Sequence, residues 1–252
     1  MPEQKTTDSL RRGRLFRLPL VGACVLPVVA LADDPFQHNG VDKVYHPYVQ
    51  PLETEIEYRS VYQTDGESLE DGVSRHRLAI GRALTDRVFV EGYLIGKESP
   101  QDDFYLDRWE LETKIQLTEQ GEYWADWGLL FEFERARSES ITETAAVVLM
   151  EKEVSPSWIT TMNFRTEYEF GSDIANEWDF DVAAQLRYRF SERFEPSVEY
   201  YADEFTSALG PVFQGVERLG IARKFYWEAG VLFPLNDTTP DSTFRFMLEF
   251  EF

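Results

Sequence analysis

The chain has 252 residues, with 25 Lys and Arg against 46 Asp and Glu, for a formal charge of −21. That balance excludes nucleic acid as a partner, because phosphate backbones are bound by an excess of Lys and Arg, and it favours cations and divalent-bridged surfaces. An aromatic share of 15% and regular two-residue alternation oppose the disorder that an acidic chain otherwise suggests.

Arg11, Arg12, Arg14 and Arg17 precede an apolar run from Leu18 to Ala32, which ends Ala30-Leu31-Ala32 before Asp33. Basic, apolar and small-residue segments in this order read as a secretory signal peptide over residues 1–32, cut after Ala32. Fifteen residues containing Pro19 and Pro27 are too few for a membrane helix, which needs about 20. Val21-Gly22-Ala23-Cys24 is an alternative lipoprotein box, opposed by the apolar run that continues past Cys24. Arg11-Arg12 suggests twin-arginine export, which the following residues fit poorly. Cleavage leaves 220 residues, with 20 basic against 44 acidic side chains and a charge of −24. It also leaves no cysteine, which excludes disulfides and thiolate metal sites.

Residues 33–51 show no periodicity and read as a periplasmic N-terminal segment. From Leu52 onward the side chains alternate with a period of two, the signature of strands. Leu52, Thr54, Ile56, Tyr58, Ser60 and Tyr62 face one way; Glu53, Glu55, Glu57 and Arg59 face the other. A polar loop follows, then strands over about 73–84 and up to about Gly96. After a second loop come Trp109, Leu111, Thr113 and Ile115 opposite Glu110, Glu112 and Lys114. Phe131 and Phe133 stand opposite Glu132 and Glu134, and an apolar strand runs from Ala145 to Lys152. The clearest hairpin sets Phe164, Thr166, Tyr168 and Phe170 against Arg165, Glu167 and Glu169. Its second arm sets Trp178, Phe180 and Val182 against Asp179, Asp181, Arg187 and Arg189. Strands through Tyr200, over 209–219 and over 225–235 lead to the last one, where Phe244, Phe246, Leu248, Phe250 and Phe252 oppose Arg245, Glu249 and Glu251.

One face of these strands is too apolar for water and the other too charged for a soluble core. Lipid outside and a wet lumen inside satisfy both. The chain therefore reads as all-β, a transmembrane up-and-down antiparallel β-barrel over residues 52–252. Twelve strands are expected, or ten if 202–224 loses its pair, with short turns alternating with longer acidic loops. Only helices and closed barrels satisfy every backbone group in lipid, and no run in the mature chain is long enough for such a helix.

The chemistry lies on the inward face. Glu167, Glu169, Asp179 and Asp181 cluster towards the presumed outer mouth, with Arg165 beside them and Arg187 and Arg189 lower. An acidic mouth concentrates cations and repels anions. The reading is passive, cation-preferring passage of small solutes, with no cofactor. The alternatives are a non-conducting structural or surface-interaction barrel, whose mixed charges only fill the lumen, and an outer-membrane lipid hydrolase. The loop acids (Asp65, Glu67, Glu70, Asp71, Asp102, Asp103, Asp173, Asp237 and Asp241) read as solvated tips, or as weak divalent-cation sites at a lipopolysaccharide surface. His38 and His46 with Asp33, Asp34 and Asp42 form a metal candidate whose spacing matches no zinc pattern; a disordered segment is the alternative.

The closing strand ending on Phe252 resembles that of Gram-negative outer-membrane β-barrels. Residues from Gly230-Val231-Leu232-Phe233-Pro234-Leu235-Asn236-Asp237 to Phe252 resemble the ends of the transporter-like barrels grouped with phenol meta-pathway proteins. That resemblance implies outer-membrane localisation and small-molecule passage, and transfers no binding residue. Ser74 and His76, two apart on one face, resemble the paired serine and histidine of outer-membrane phospholipases, in reversed order.

Overall fold

A computed structural model describes residues 40–66, 71–220 and 223–252. The signal-peptide reading, with Cys24 and His38, lies outside the described residues, as do Glu67 and Glu70. Twelve strands follow in order: β1 (Thr54–Thr64), β2 (Ser74–Ala83), β3 (Val88–Glu98), β4 (Tyr105–Gln116), β5 (Asp126–Ala136) and β6 (Ile141–Ser155). The rest are β7 (Trp158–Gly171), β8 (Glu177–Tyr188), β9 (Glu195–Ala202), β10 (Ser207–Arg218), β11 (Lys224–Pro234) and β12 (Ser242–Glu251). Each strand pairs antiparallel with its neighbours in sequence, and β1 pairs with β12 from Glu55↔Glu251 to Thr64↔Ser242. The closed sheet has no edge strand. Its ladder is completed at the seam by Phe252, whose N–H donates to the Thr54 carbonyl at 2.8 Å.

The period of two places the lipid face as the sequence reading expects. Ile56, Leu78, Ile80, Leu111, Phe131, Phe164, Phe180 and Phe244 are exposed on the outside, while Glu57, Arg59, Glu110, Glu112, Glu167 and Arg245 are buried within. Aromatic pairs gather towards both ends of this outer band. Trp158–Tyr188 and Phe194–Phe213 lie at the end that holds the start of β1 (the near end). Tyr168–Trp178, Trp109–Phe133 and Tyr62–Phe244 lie at the opposite, far end. Two such girdles bound the hydrocarbon zone of membrane barrels.

The expected contrast in loop length is slight. At the far end the connections are 65–73, 99–104, 137–140, 172–176, 203–206 and 235–241; at the near end 117–125 is as long as any of them. The wall is uneven instead. β8 pairs with β7 from Trp158↔Tyr188 to Glu169↔Glu177, but with β9 only from Val182↔Ala202 to Arg187↔Ser197. Glu177–Asp181 therefore stands above the short β9, and leaves a notch in the far rim.

The largest difference concerns residues 40–51, expected in the periplasm. Gly40 to Gln50 run through the lumen as an extended strap. The strap starts at the far end, where Val41 and Val44 pack with Tyr201, Ala208 and Leu232. It finishes at the near end, where Val49 packs with Ala83 and Phe89. Pro51 and Leu52 then reverse the chain into β1, with the Glu53 N–H donating to the Gln50 carbonyl at 3.3 Å. Leu52 takes a φ of 69° at the third position of that turn, the left-handed region usually left to Gly or Asn. The physical reason for the difference is complementarity. Phe89, Tyr93 and Ile95 on β3 and Val147 and Leu149 on β6 point inward, and these apolar stripes are covered by the strap and by one another.

Candidate functional site

The strap is held to the wall at every step. Asp42 receives Arg59 at 2.5 Å, with Arg77 at 3.9 Å. Lys43 donates to Glu57 at 2.5 Å. Tyr45 is clamped by the amide of Asn163: the Tyr45 N–H donates to Oδ1 at 2.7 Å, and Nδ2 donates to the Tyr45 carbonyl at 2.9 Å. The Tyr45 hydroxyl reaches across to Glu112 at 2.6 Å. His46 Nδ1 meets Glu151 at 2.5 Å, the Tyr48 hydroxyl donates to Asp126 at 2.7 Å, and the Val49 N–H donates to Gln116 at 2.8 Å. Pro47 fits over Gly128, where an added Cβ would sit 3.0 Å from the Pro47 ring.

Asp42 and Lys43 stay charged at neutral pH. Burial pushes the Asp42 carboxyl up, but Arg59, Arg77 and Lys43 together hold it well below the usual carboxylate range. Its contribution to docking is therefore complete above the ordinary carboxylate pKa and is lost only as pH falls through that depressed value. Burial lowers the Lys43 ammonium, and Glu57 overrides this and raises it above its usual value.

Two cavities flank the strap, and Lys43 and Tyr45 line both. The far-end cavity is about 120 Å³ and the near-end one about 490 Å³. Ten carboxylates line the first (Asp42, Glu110, Glu132, Glu134, Glu143, Glu167, Asp179, Asp181, Asp203 and Glu204), against Lys43 and four arginines. Nine line the second, against Lys43, Lys114, Arg187, Arg189 and the imidazole of His46.

The far-end arginines are heavily committed. Arg165 donates to Glu132 at 2.8 Å and to Asp181 at 2.9 Å, and pairs with Glu167. Arg108 pairs with Glu134 at 2.8 Å and with Glu143 and Asp107. Arg77 pairs with Glu110 as well as Asp42. A second knot lies across β9, β11 and β12, where fully buried Arg245 joins Glu199, Glu228 and the Tyr201 hydroxyl.

Of the residues expected to set selectivity, Arg165, Glu167, Asp179 and Asp181 do meet around the far-end cavity, beside the notch. Glu169 lies next to them, opposite Glu143 and Glu177 in the sheet. Arg187 and Arg189 sit at the other end, on Glu195 at 3.0 Å and Glu153 at 2.5 Å. Sequence reasoning passed over Lys43, Tyr45, Asn163, Glu199, Glu228 and Tyr201, and considered Asp42 only as a metal ligand. The available signal was the set of apolar inward positions on β3 and β6, which require an apolar partner inside the barrel.

The remaining candidates separate. Asp42 and His46 reach different walls, so among the described residues they share no metal site. Ser74 and His76 share the outward face, but the ring nitrogens of His76 face the Tyr58 hydroxyl at 2.9 Å and Glu98 at 3.5 Å. Several loop aspartates cap backbone amides: Asp71 accepts from Asp65 N–H at 3.0 Å and Asp173 from Ser140 N–H at 2.6 Å.

No family model and no curated protein matches this sequence. Solved structures do match in fold. An outer membrane channel from Pseudomonas putida F1 has a TM-score of 0.55 at 14% identity, over 84% of this chain and 98% of that one. The KdgM porin in complex with disordered oligogalacturonate has a TM-score of 0.52 at 11% identity, over 79% and 98%. The NanC porin has a TM-score of 0.51 at 10% identity, over 78% and 98%. The chain thus has the fold of outer-membrane porin-like barrels.

Proposed function

We propose that this chain is a channel of the Gram-negative outer membrane, passing small solutes passively with a preference for cations, and that residues 40–50 form its constriction. The near end faces the periplasm in this reading. The carrying observation is the carboxylate excess along both cavities, ten against five basic groups and nine against four. Arg77, Arg108 and Arg165 already have carboxylates of their own, so the surplus negative charge acts on whatever enters. A confined path with low-dielectric walls concentrates ions of opposite sign. Acidic loops support divalent-bridged contact with lipopolysaccharide as part of the same proposal.

The test is the reversal potential of refolded protein in planar bilayers under a KCl gradient. Changing Glu167 and Glu169 to Gln, and Asp179 and Asp181 to Asn, leaves Arg165 balanced by Glu132 alone. The cation-to-anion permeability ratio is expected to fall at 0.1 M salt, where the Debye length is about 10 Å, and to change less at about 1 M. An unchanged ratio at low salt overturns the role given to these four. A non-conducting structural barrel is the second reading, supported by the strap between the cavities, and absence of any conductance favours it.

A further inference from the structure

We propose that the near end of the β1–β12 seam binds one divalent cation, calcium by preference, through the carboxylates of Glu53, Glu249 and Glu251. One oxygen from each lies within 4.8 Å of the other two. Ligands held at about 2.3–2.6 Å from a common calcium ion spread over that range, whereas magnesium demands a tighter octahedron and gives up its waters reluctantly.

The seam explains why a cation is needed there. Register sets Glu55 directly opposite Glu251 and Glu57 opposite Glu249, and like charges facing across a ladder are unfavourable. Glu57 is neutralised by Lys43 and Arg59. Glu251 shares Lys224, at 2.7 and 3.0 Å. The others lack such partners. Glu53 accepts only the Gln50 N–H, at 3.2 Å. Glu55 is 7% exposed and makes no hydrogen bond or ion pair among the described residues, yet it lines the same cavity as Glu53 and Glu249. On the neighbouring wall Glu91 is 4% exposed, with one carboxylate oxygen buried and unbonded. Lys114, the remaining cation of this wall, lies over the Phe89 ring at 5.3 Å. A buried carboxylate without a partner is unfavourable unless it is protonated or meets a cation. One divalent ion supplies that charge, and it staples the first strand to the last where the strap turns into β1.

The measurement is calorimetric titration of calcium chloride into the full mature chain, folded in detergent and stripped of metal. Wild type is expected to take up one ion per chain, with magnesium binding at least tenfold more weakly. Glu53→Gln with Glu249→Gln is expected to abolish uptake, while Asp173→Asn in a far-end loop leaves it intact. Calcium is expected to raise the melting temperature of wild type and not of the double variant. Without metal, the double variant is expected to melt no lower than wild type, because like-charge repulsion has been removed. Should the double variant fail to fold, Glu249→Gln alone is expected to weaken calcium at least tenfold. No uptake at millimolar calcium, or equal uptake by wild type and the variants, overturns the proposal. Uptake is read without any current, so a barrel that does not conduct leaves it standing.

Discussion

Phe164→Arg destabilises the folded barrel in bilayers by about 2–4 kcal/mol, because it places a charge on the lipid face near the membrane midplane. Phe164 lies in the middle of β7, 44% exposed, opposite the outward Val148 and Val182. Arg165, the next residue, points into the lumen and holds Glu132, Glu167 and Asp181. Arg165→Ala keeps the lipid face intact and leaves three carboxylates beside a wetted cavity, so the smaller loss of stability is expected there, with a more strongly cation-selective lumen. Equilibrium unfolding of both variants in lipid vesicles checks this. A larger loss from Arg165→Ala than from Phe164→Arg contradicts the assignment of faces.

Deleting residues 41–49 raises single-channel conductance about threefold or more. A barrel of eight strands is filled by its own side chains and one of sixteen holds an open channel, so a twelve-stranded wall without its strap leaves an appreciable bore. The same deletion costs stability. Arg59, 1% exposed, loses Asp42, and Val41, Val44 and Val49 no longer cover their apolar patches. Each buried valine is worth about 1.5–3 kcal/mol relative to exposure. Conductance in planar bilayers, beside urea unfolding of the same preparation, measures both effects. Equal conductance with and without the strap contradicts its role as the constriction.

The strands were legible because a wall between lipid and water must alternate, and β1, β4, β7 and β12 do so almost without exception. Legibility fell where a second constraint entered. β10 carries Gly210 and Pro211, and its ladder to β11 skips both, since proline has no N–H to give; the pattern there was the weakest, although the strand exists. β3 and the apolar run of β6 broke alternation because their inward residues meet the strap and each other rather than water. The strap itself has no period to read. Its conformation is set by Glu57 and Arg59 on the strand that follows it and by Asn163 and Gln116 far along the chain, and only the folded barrel brings them to it. The same limit applied to the site. Alternation put Arg165, Glu167, Asp179 and Asp181 on one inner surface, where they line one cavity, but it could not foresee that Arg165 takes up Glu167 and Asp181.

The central claim, a cation-preferring lumen, is tested most directly by the zero-current potential of the unmodified protein in a planar bilayer. The membrane would separate 0.1 M from 1 M KCl, with chloride-reversible electrodes corrected for. A potential displaced to the potassium side is the expected result, and it should shrink when both solutions are raised in salt at a fixed ratio. A potential displaced to the chloride side contradicts the claim.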